Sequence, residues 1–384
     1  MTEEHTLNVM ELDSGNPNKL AVLTSPEGGV AWISTDDASL DQLILPVNKI
    51  PVNLVYGHND VVNPGRDRND PLVYTKQCHG DMLESRAASP MAGGVPMNFF
   101  PGRLRGGQMW FLQPGGEYEK FAVPNSHPQF DSLLHLGDGK GMNFNIISPY
   151  EGDAASVTFV QEEIGNSLYN KGFPTGMSAN VRYTLKEGVL ERRTIVTNRS
   201  DVWLGIPFSD HGSYLPGNGM ATDLSVVMKV DGEFKLDKDT KVATGLRKGQ
   251  YPKRLNRLNS FKVKGPMEHM YSLAGTTVEI LNSGQGCGVR IDADSKTKTG
   301  YVWVPGNPNA PDEGNDKFIS FQGYSGLPTA AFSLPAFHSR QGYTIDPVFE
   351  QTIAMLIPPH TASEPYVQTF SAINAHHRND LRLL

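Results

Sequence analysis

The chain has 384 residues, a formal net charge of −7 and a pI near 5.9. That length can bury a large core in one to three domains. The acidic balance, with no long Lys/Arg run, argues against a nucleic-acid binder, which needs a basic stripe for the phosphates.

The first stretch, MTEEHTLNVMELDSGNPNK, is acidic and has no apolar core segment, so it does not read as a secretory signal. No apolar run approaches the ~18 residues of a spanning helix. Two cysteines, Cys78 and Cys287, lie far apart without CxxC spacing. Two reduced thiols are the simpler reading over one disulfide, and the expected location is the cytoplasm, away from membranes. In CHGD at 78–81 the adjacent Cys78 and His79 would point apart in an extended segment, so no metal site is expected there.

Further along, 39 glycines and 27 prolines punctuate short apolar runs. In ANVRYTLKEGVLERRTIVTNRS, Val181, Tyr183 and Leu185 alternate with polar residues. Lys186-Glu187-Gly188 supplies a turn and Val189–Val196 returns, which predicts a hairpin. SVVMKVDGEFKLD predicts a second hairpin turning at Asp231-Gly232. The basic stretch RKGQYPKRLNR, 247–257, reads as a solvated loop or strand edge. GVRIDADSKTKTGYVWVPG reads as strand, polar loop, strand, and DKFISFQGYSG and YVQTFSAINA as further strands. Only DPVFEQTIAMLIPPH suggests helix, two turns before Pro358-Pro359 stops it. Many short strands with turn-marked spacing predict a mostly β chain, a large antiparallel β-sandwich with little helix. Such folds carry chemistry on a concave sheet face or its adjoining loops.

Four stretches hold candidate chemistry. In GIPFSDHGSYLPGNG, 205–219, His211 stands where a strand ends before a Pro-Gly-Asn-Gly turn, and histidine is the side chain that titrates nearest neutrality. GGVPMNFFPGRLRGGQMWF, 93–111, sets Arg103 and Arg105 two apart, on one face if extended; a glycine-rich loop with surface arginines fits equally well. In HPQFDSLLHLGDGKGMNFNI, His135 is either functional or a buried histidine satisfied by a backbone carbonyl. GPMEHMYSL places Glu268 and His269 inside an otherwise apolar strand, so that one of them faces inward and needs a partner, unless the strand is a partly exposed edge.

The order and flanks of these stretches resemble the aldose 1-epimerase (galactose mutarotase-like) family, over roughly residues 20–372. GGVPMNFFPGR resembles the family's Gly-Gly-x-Pro segment leading to an arginine, and LLHLGDGKGMNF its Leu-His-Gly segment. YTLKEGVLERRTIVTNRSDVWLGIPFSDHGSYLPGNG is similar to its hairpin, turn and strand ending in histidine with an aromatic just beyond. GPMEHMYSL is similar to its Asp-His pair, and MLIPPHTASEPYVQTFSAI to its closing segment. The resemblance implies a single β-supersandwich domain over 1–384, with inserted material near 45–90 and 215–260, binding a hexose on a concave face.

It also implies the reaction: interconversion of sugar anomers by acid/base ring opening and closure, with no metal or organic cofactor. By position His211 matches the acid, His135 the second histidine, Arg103 (with Arg105 nearby) the arginine, and Glu268 the aspartate. Tyr214 matches the aromatic beyond the histidine, as a substrate contact. The family's base falls in TAAFSLPAFH near Ser333, where this chain has no carboxylate. His269, His338, Asp346 and Glu350 are candidates for that role, Glu350 first. The empty slot keeps a second reading open, a non-catalytic carbohydrate-binding protein. Under either, the expected partner is a small-molecule sugar; the sugar and the oligomeric state stay open.

Overall fold

The structure is a computed structural model that describes residues 5–11, 19–35, 38–62, 65–69, 108–112, 118–122, 145–146, 154–164, 176–201, 204–206, 210–236, 243–248, 260–306, 317–324 and 355–376. Their regular structure is almost all strand. The elements are β1 (Thr6–Glu11), β2 (Lys19–Thr24), β3 (Val30–Ser34), β4 (Leu40–Val47), β5 (Ile50–Asn53), the short helix α1 (His58–Val62), β6 (Gln108–Leu112), β7 (Tyr118–Ala122), β8 (Asn145–Ile146), β9 (Ala155–Ile164), β10 (Met177–Lys186) and β11 (Val189–Asn198). There follow β12 (Leu204–Ile206), β13 (Gly212–Tyr214), β14 (Leu224–Leu236), β15 (Ala243–Lys248), β16 (Ser260–Lys262), β17 (Met267–Asn282), β18 (Cys287–Asp292), β19 (Thr299–Val304), β20 (Ile319–Tyr324), β21 (Met355–Ile357) and β22 (Tyr366–Asn374). Every named pairing is antiparallel.

The predicted first hairpin is present. β10 and β11 pair from Met177↔Asn198 to Lys186↔Val189. Glu187 and Gly188 both take positive φ, 51° and 72°, the geometry of a type I′ turn whose twist suits the flanking strands. Met177, Ala179, Val181, Tyr183 and Leu185 are buried while Asn180 and Arg182 are exposed, as period-two alternation requires.

The predicted second hairpin is absent. β14 runs straight through Asp231-Gly232, because β17 lies alongside it from Leu224↔Asn282 to Glu233↔Tyr271. The ladder absorbs the irregularity as register shifts around Val230 instead of turning. The suggested helix also fails where it is described. Met355–Ile357 is strand, paired with Leu204–Ile206, and residues 346–354 lie outside the described residues.

β17 organises the sheet. One edge carries β14. The other carries two strands end to end, β19 on Met267–Ser272 and β18 on Thr277–Asn282. The strand–loop–strand of GVRIDADSKTKTGYVWVPG is thus real, but its two strands meet through β17 rather than each other. From β19 the sheet continues to β20 and β13; from β18 it continues to β22, β11, β10, β9 and β8. The separate β1–β5 meander packs into the same core: Tyr183 Oη donates to the Ala38 carbonyl at 2.9 Å. The chain after β5 then hooks onto β13, with Tyr56 N–H donating to Ser213 O at 2.9 Å. Each fully buried Leu, Ile, Val or Phe of this core contributes ~1.5–3 kcal/mol.

Candidate active site

The sheet face around β13, β20, β19 and the start of β17 collects the chemistry. Register pairs Glu268 with Trp303, Trp303 with Ser320, and Ser320 with Ser213. Directly opposed residues share a face, so these four side chains point the same way. Tyr301 and Gln322 form the next pair on that face. His211 precedes β13 by one residue, and alternation puts it on the side of Ser213. Its ring meets the Trp303 indole edge-on, with centroids 6.1 Å apart at 68°.

The sequence explains why this strand set carries two different faces. In β19 the half-buried Tyr301 and Trp303 alternate with the buried Val302 and Val304. The valines enter the core beside Ile319 and Phe321, and the aromatics turn to the other side. Trp303 continues into an aromatic wall, edge-on to Phe318 at 5.9 Å, and Phe318 stacks on Tyr56 at 5.0 Å. Burial, then the charge of Asp60, push the Tyr56 phenol up to about 12, with Arg68 opposing.

Polar groups on this face are held in pairs. The Tyr301 hydroxyl donates to Glu268 Oε1, and the Tyr324 hydroxyl to Gln322 Oε1. Tyr301 and Tyr324 meet edge-on at 6.5 Å. Ionisation of Tyr324 is pushed well up by burial, then by the negative charges of Asp210 and Glu268.

Beside His211, Asp210 is wholly buried. It takes a hydrogen bond from Arg192 at 2.8 Å, from the Gly323 N–H at 3.0 Å and from Gln368 Nε2 at 3.4 Å. Burial works against the Arg192 charge, but Asp210 outweighs it and the guanidinium stays firmly protonated. This pair ties three strands, β11, β20 and β22, to the residue before His211.

Tyr214 sits on the opposite face from His211. It is buried in the core and stacked on Phe370 at 6.5 Å, so the expected sugar contact gives way to a packing role. The alternation that turns His211 toward Trp303 turns Tyr214 away. Its ring folds across Gly212, where any Cβ would lie 2.2 Å from the phenol oxygen. The Pro216–Gly219 turn is docked: Asn282 Nδ2 donates to Pro216 O at 3.1 Å and to Asn218 O at 3.0 Å, and Arg68 donates to Leu215 O and Gly217 O.

By alternation along β17, His269 takes the other face from Glu268, though both border a cavity against Glu233–Leu236 of β14. Its Nδ1 lies 2.7 Å from Glu233 Oε1 on β14, and its ring stacks over Tyr271 at 5.9 Å. Arg103, Arg105, His135, Glu350, His338, Asp346 and Ser333 lie outside the described residues, as do Cys78 and His79. Cys287 is a buried free thiol. No group of three His, Cys, Asp or Glu among the described residues could hold a metal, and none of their helices is long and apolar enough to cross a membrane.

Sequence reasoning missed Trp303, Tyr301, Gln322 and Asp210. The YVWV alternation signalled that two aromatics share a face, but not which face.

Solved structures with this architecture are numerous. A galactose mutarotase-like protein from Clostridium acetobutylicum superposes with a TM-score of 0.71 at 15% identity, over 97% of this chain and 99% of its own. The fold is that of the galactose mutarotase-like proteins. A galactose 1-epimerase from Lactobacillus acidophilus NCFM gives 0.65 at 13% identity, over 97% and 100% of the two chains. A putative aldose 1-epimerase from Escherichia coli K12 gives 0.63 at 13%, over 96% and 99%. No protein-family model matches the sequence, and no curated protein matches it significantly. The backbone thus bears out the resemblance to galactose mutarotase-like proteins read from the sequence.

Proposed function

We propose that the protein is an aldose 1-epimerase that interconverts the α and β anomers of a hexose or related aldose. The observation that carries this reading is the shared face of His211, Trp303, Tyr301 and Glu268, drawn from β13, β19 and β17. An indole beside an imidazole and a carboxylate suits a pyranose, which offers an apolar ring face and a rim of hydroxyls. Neighbours of the same fold carry names of mutarotases and epimerases, which agrees with it.

The chemistry needs an acid to protonate the ring oxygen and a base to take the anomeric hydroxyl proton. His211 is proposed as the acid, with His135, Arg103 and Arg105 contacting hydroxyls as the sequence resemblance implies. Proton transfers suffice for this reaction, so no metal or organic cofactor enters it. The cytoplasm, where free sugars are consumed, suits the activity.

A second reading is favoured by one feature, the lack of a carboxylate around Ser333: a carbohydrate-binding protein with catalysis lost. Polarimetry or NMR of freshly dissolved α-D-galactose and α-D-glucose separates the two. The epimerase accelerates approach to anomeric equilibrium, and His211→Ala lowers that rate ~10²- to 10⁴-fold. Traces that overlay the buffer control, together with saturable sugar binding, establish the binder instead.

A further inference from the structure

The proposed reaction needs a proton acceptor, and the described strands of the site narrow the choice. β13, β19 and β20 carry no Asp, Glu or His, and the paired start of β17, Met267–Ser272, carries only Glu268 and His269. His269 points to the opposite face and is engaged by Glu233. Asp210 is on the chain beside His211 but is fully buried and committed to Arg192, Gly323 and Gln368. Removing its charge would strand a buried guanidinium, so it is unsuited to cycling a proton. Glu268 is half-buried on the face of Trp303 and His211.

Resting on the epimerase reading, we propose that Glu268 is the general base of this chain, with Tyr301 as its positioning residue. Glu268 accepts the proton of the anomeric hydroxyl. The freed electron pair forms the C1=O bond as the C1–O5 bond breaks, and His211 delivers its proton to O5. The product is the open-chain aldehyde with a neutral O5 hydroxyl. After rotation about C1–C2, O5 returns its proton to His211 while attacking the other face of the carbonyl. Glu268 then gives its proton to O1, and both groups are reset.

The geometry supports a division of labour. Trp303 stands directly across from Glu268 and touches the His211 ring, so a sugar lying on the indole has one group toward each end. Tyr301 donates to Oε1, which helps to fix the carboxyl plane of a side chain with three rotatable torsions. The longer Glu, where the family resemblance would place Asp, extends the carboxylate one methylene further toward the ring. That extension provides what the sequence around Ser333 lacks.

The test is mutarotation of α-D-galactose and α-D-glucose by the full chain and by Glu268→Gln, Glu268→Asp and Tyr301→Phe, with sugar affinity measured by calorimetry on each. Glu268→Gln keeps the shape and the acceptor for Tyr301, and is expected to lose ~10²- to 10⁴-fold in rate with affinity changed less than about threefold. Glu268→Asp retains a carboxylate and is expected to exceed Glu268→Gln at least about tenfold; it also serves if the Gln variant fails to fold. Tyr301→Phe is expected to lower kcat several-fold with KM little changed, the signature of a positioning role rather than a binding one. An active wild type with Glu268→Gln within about threefold of it overturns the assignment alone, as does a Glu268→Asp variant no faster than Glu268→Gln. A wild-type trace that overlays buffer overturns the epimerase reading and this assignment together.

Discussion

The two halves of β17 share one edge of one strand, yet serve different ends. Along Thr277–Asn282, the neighbours β18, β22 and β11 present Val289, Ile291, Phe370, Leu190 and Val196 to the core, and the Arg192–Asp210 charge pair that reaches from β11 is fully buried. Along Met267–Ser272, β19 and β20 bury Val302, Val304, Ile319 and Phe321 on one side and carry Tyr301, Trp303 and Gln322 on the other. One half spends its side chains on the core. The other divides them between core and site. The candidate site thus stands on strands that divide their side chains between core and surface, while the buried Arg192–Asp210 pair, bonded also to β20 and β22, anchors the residue before His211.

The sharpest way to break this comparison is Asp210→Asn. It leaves Arg192 buried without its counter-charge, and should cost about 3–5 kcal/mol in urea unfolding. A loss below about 1 kcal/mol would show that the pair is not the anchor.

Alkaline pH acts next. Tyr183 is buried with its phenol pushed up to about 12, from an ordinary 10.0, chiefly by burial. The folded state keeps its proton while the unfolded state loses it, so stability is intact below pH 10 and falls as pH rises from there toward 12. Tyr183 alone should remove about 2–3 kcal/mol by pH 12. Denaturant midpoints at pH 9, 10, 11 and 12 check this; midpoints that do not fall above pH 10 contradict it.

A paired truncation sharpens the contrast between halves. Phe370→Ala should destabilise by about 3–5 kcal/mol, as a buried ring does. Trp303→Ala should lose less than half of that in stability, but weaken sugar affinity about tenfold, or about 1.4 kcal/mol. Equal stability losses with unchanged affinity would place Trp303 in the core instead.

The smallest effect concerns Cys287, at the far end of the β17–β18 pairing. Burial pushes its thiol up to about 11. Its peptide should take iodoacetamide at pH 7 about a hundredfold more slowly in the folded protein than in urea, by mass spectrometry. Comparable rates would mean that this half opens readily.

Much of the strand content was legible because it is local. Val181, Tyr183 and Leu185 alternate, and Glu187-Gly188 can adopt the two positive φ values of the turn, so the hairpin follows from the residues themselves. Asp231-Gly232 offered the same local signal and did not turn, since β17 supplied a partner from Leu224 to Glu233 and β15 one from Gly232 to Leu236, so a continued strand satisfies the backbone groups there. His211 was legible as a histidine where a strand ends before a turn, and Glu268 as a carboxylate inside an otherwise apolar strand.

The sequence by itself determined the β class, the first hairpin, an imidazole at a strand end and a carboxylate inside an otherwise apolar strand. Only the tertiary structure decided which faces they take. Alternation states that Glu268 and His269 point apart, and that His211 and Tyr214 do, but not which of each pair meets the core. That was settled by register: Glu268 fell opposite Trp303 and His269 beside Glu233, while Tyr214 met Phe370 and His211 met Trp303. Register between strands distant in sequence depends on the packing of the whole sheet, because a slip of one residue exchanges both faces at once.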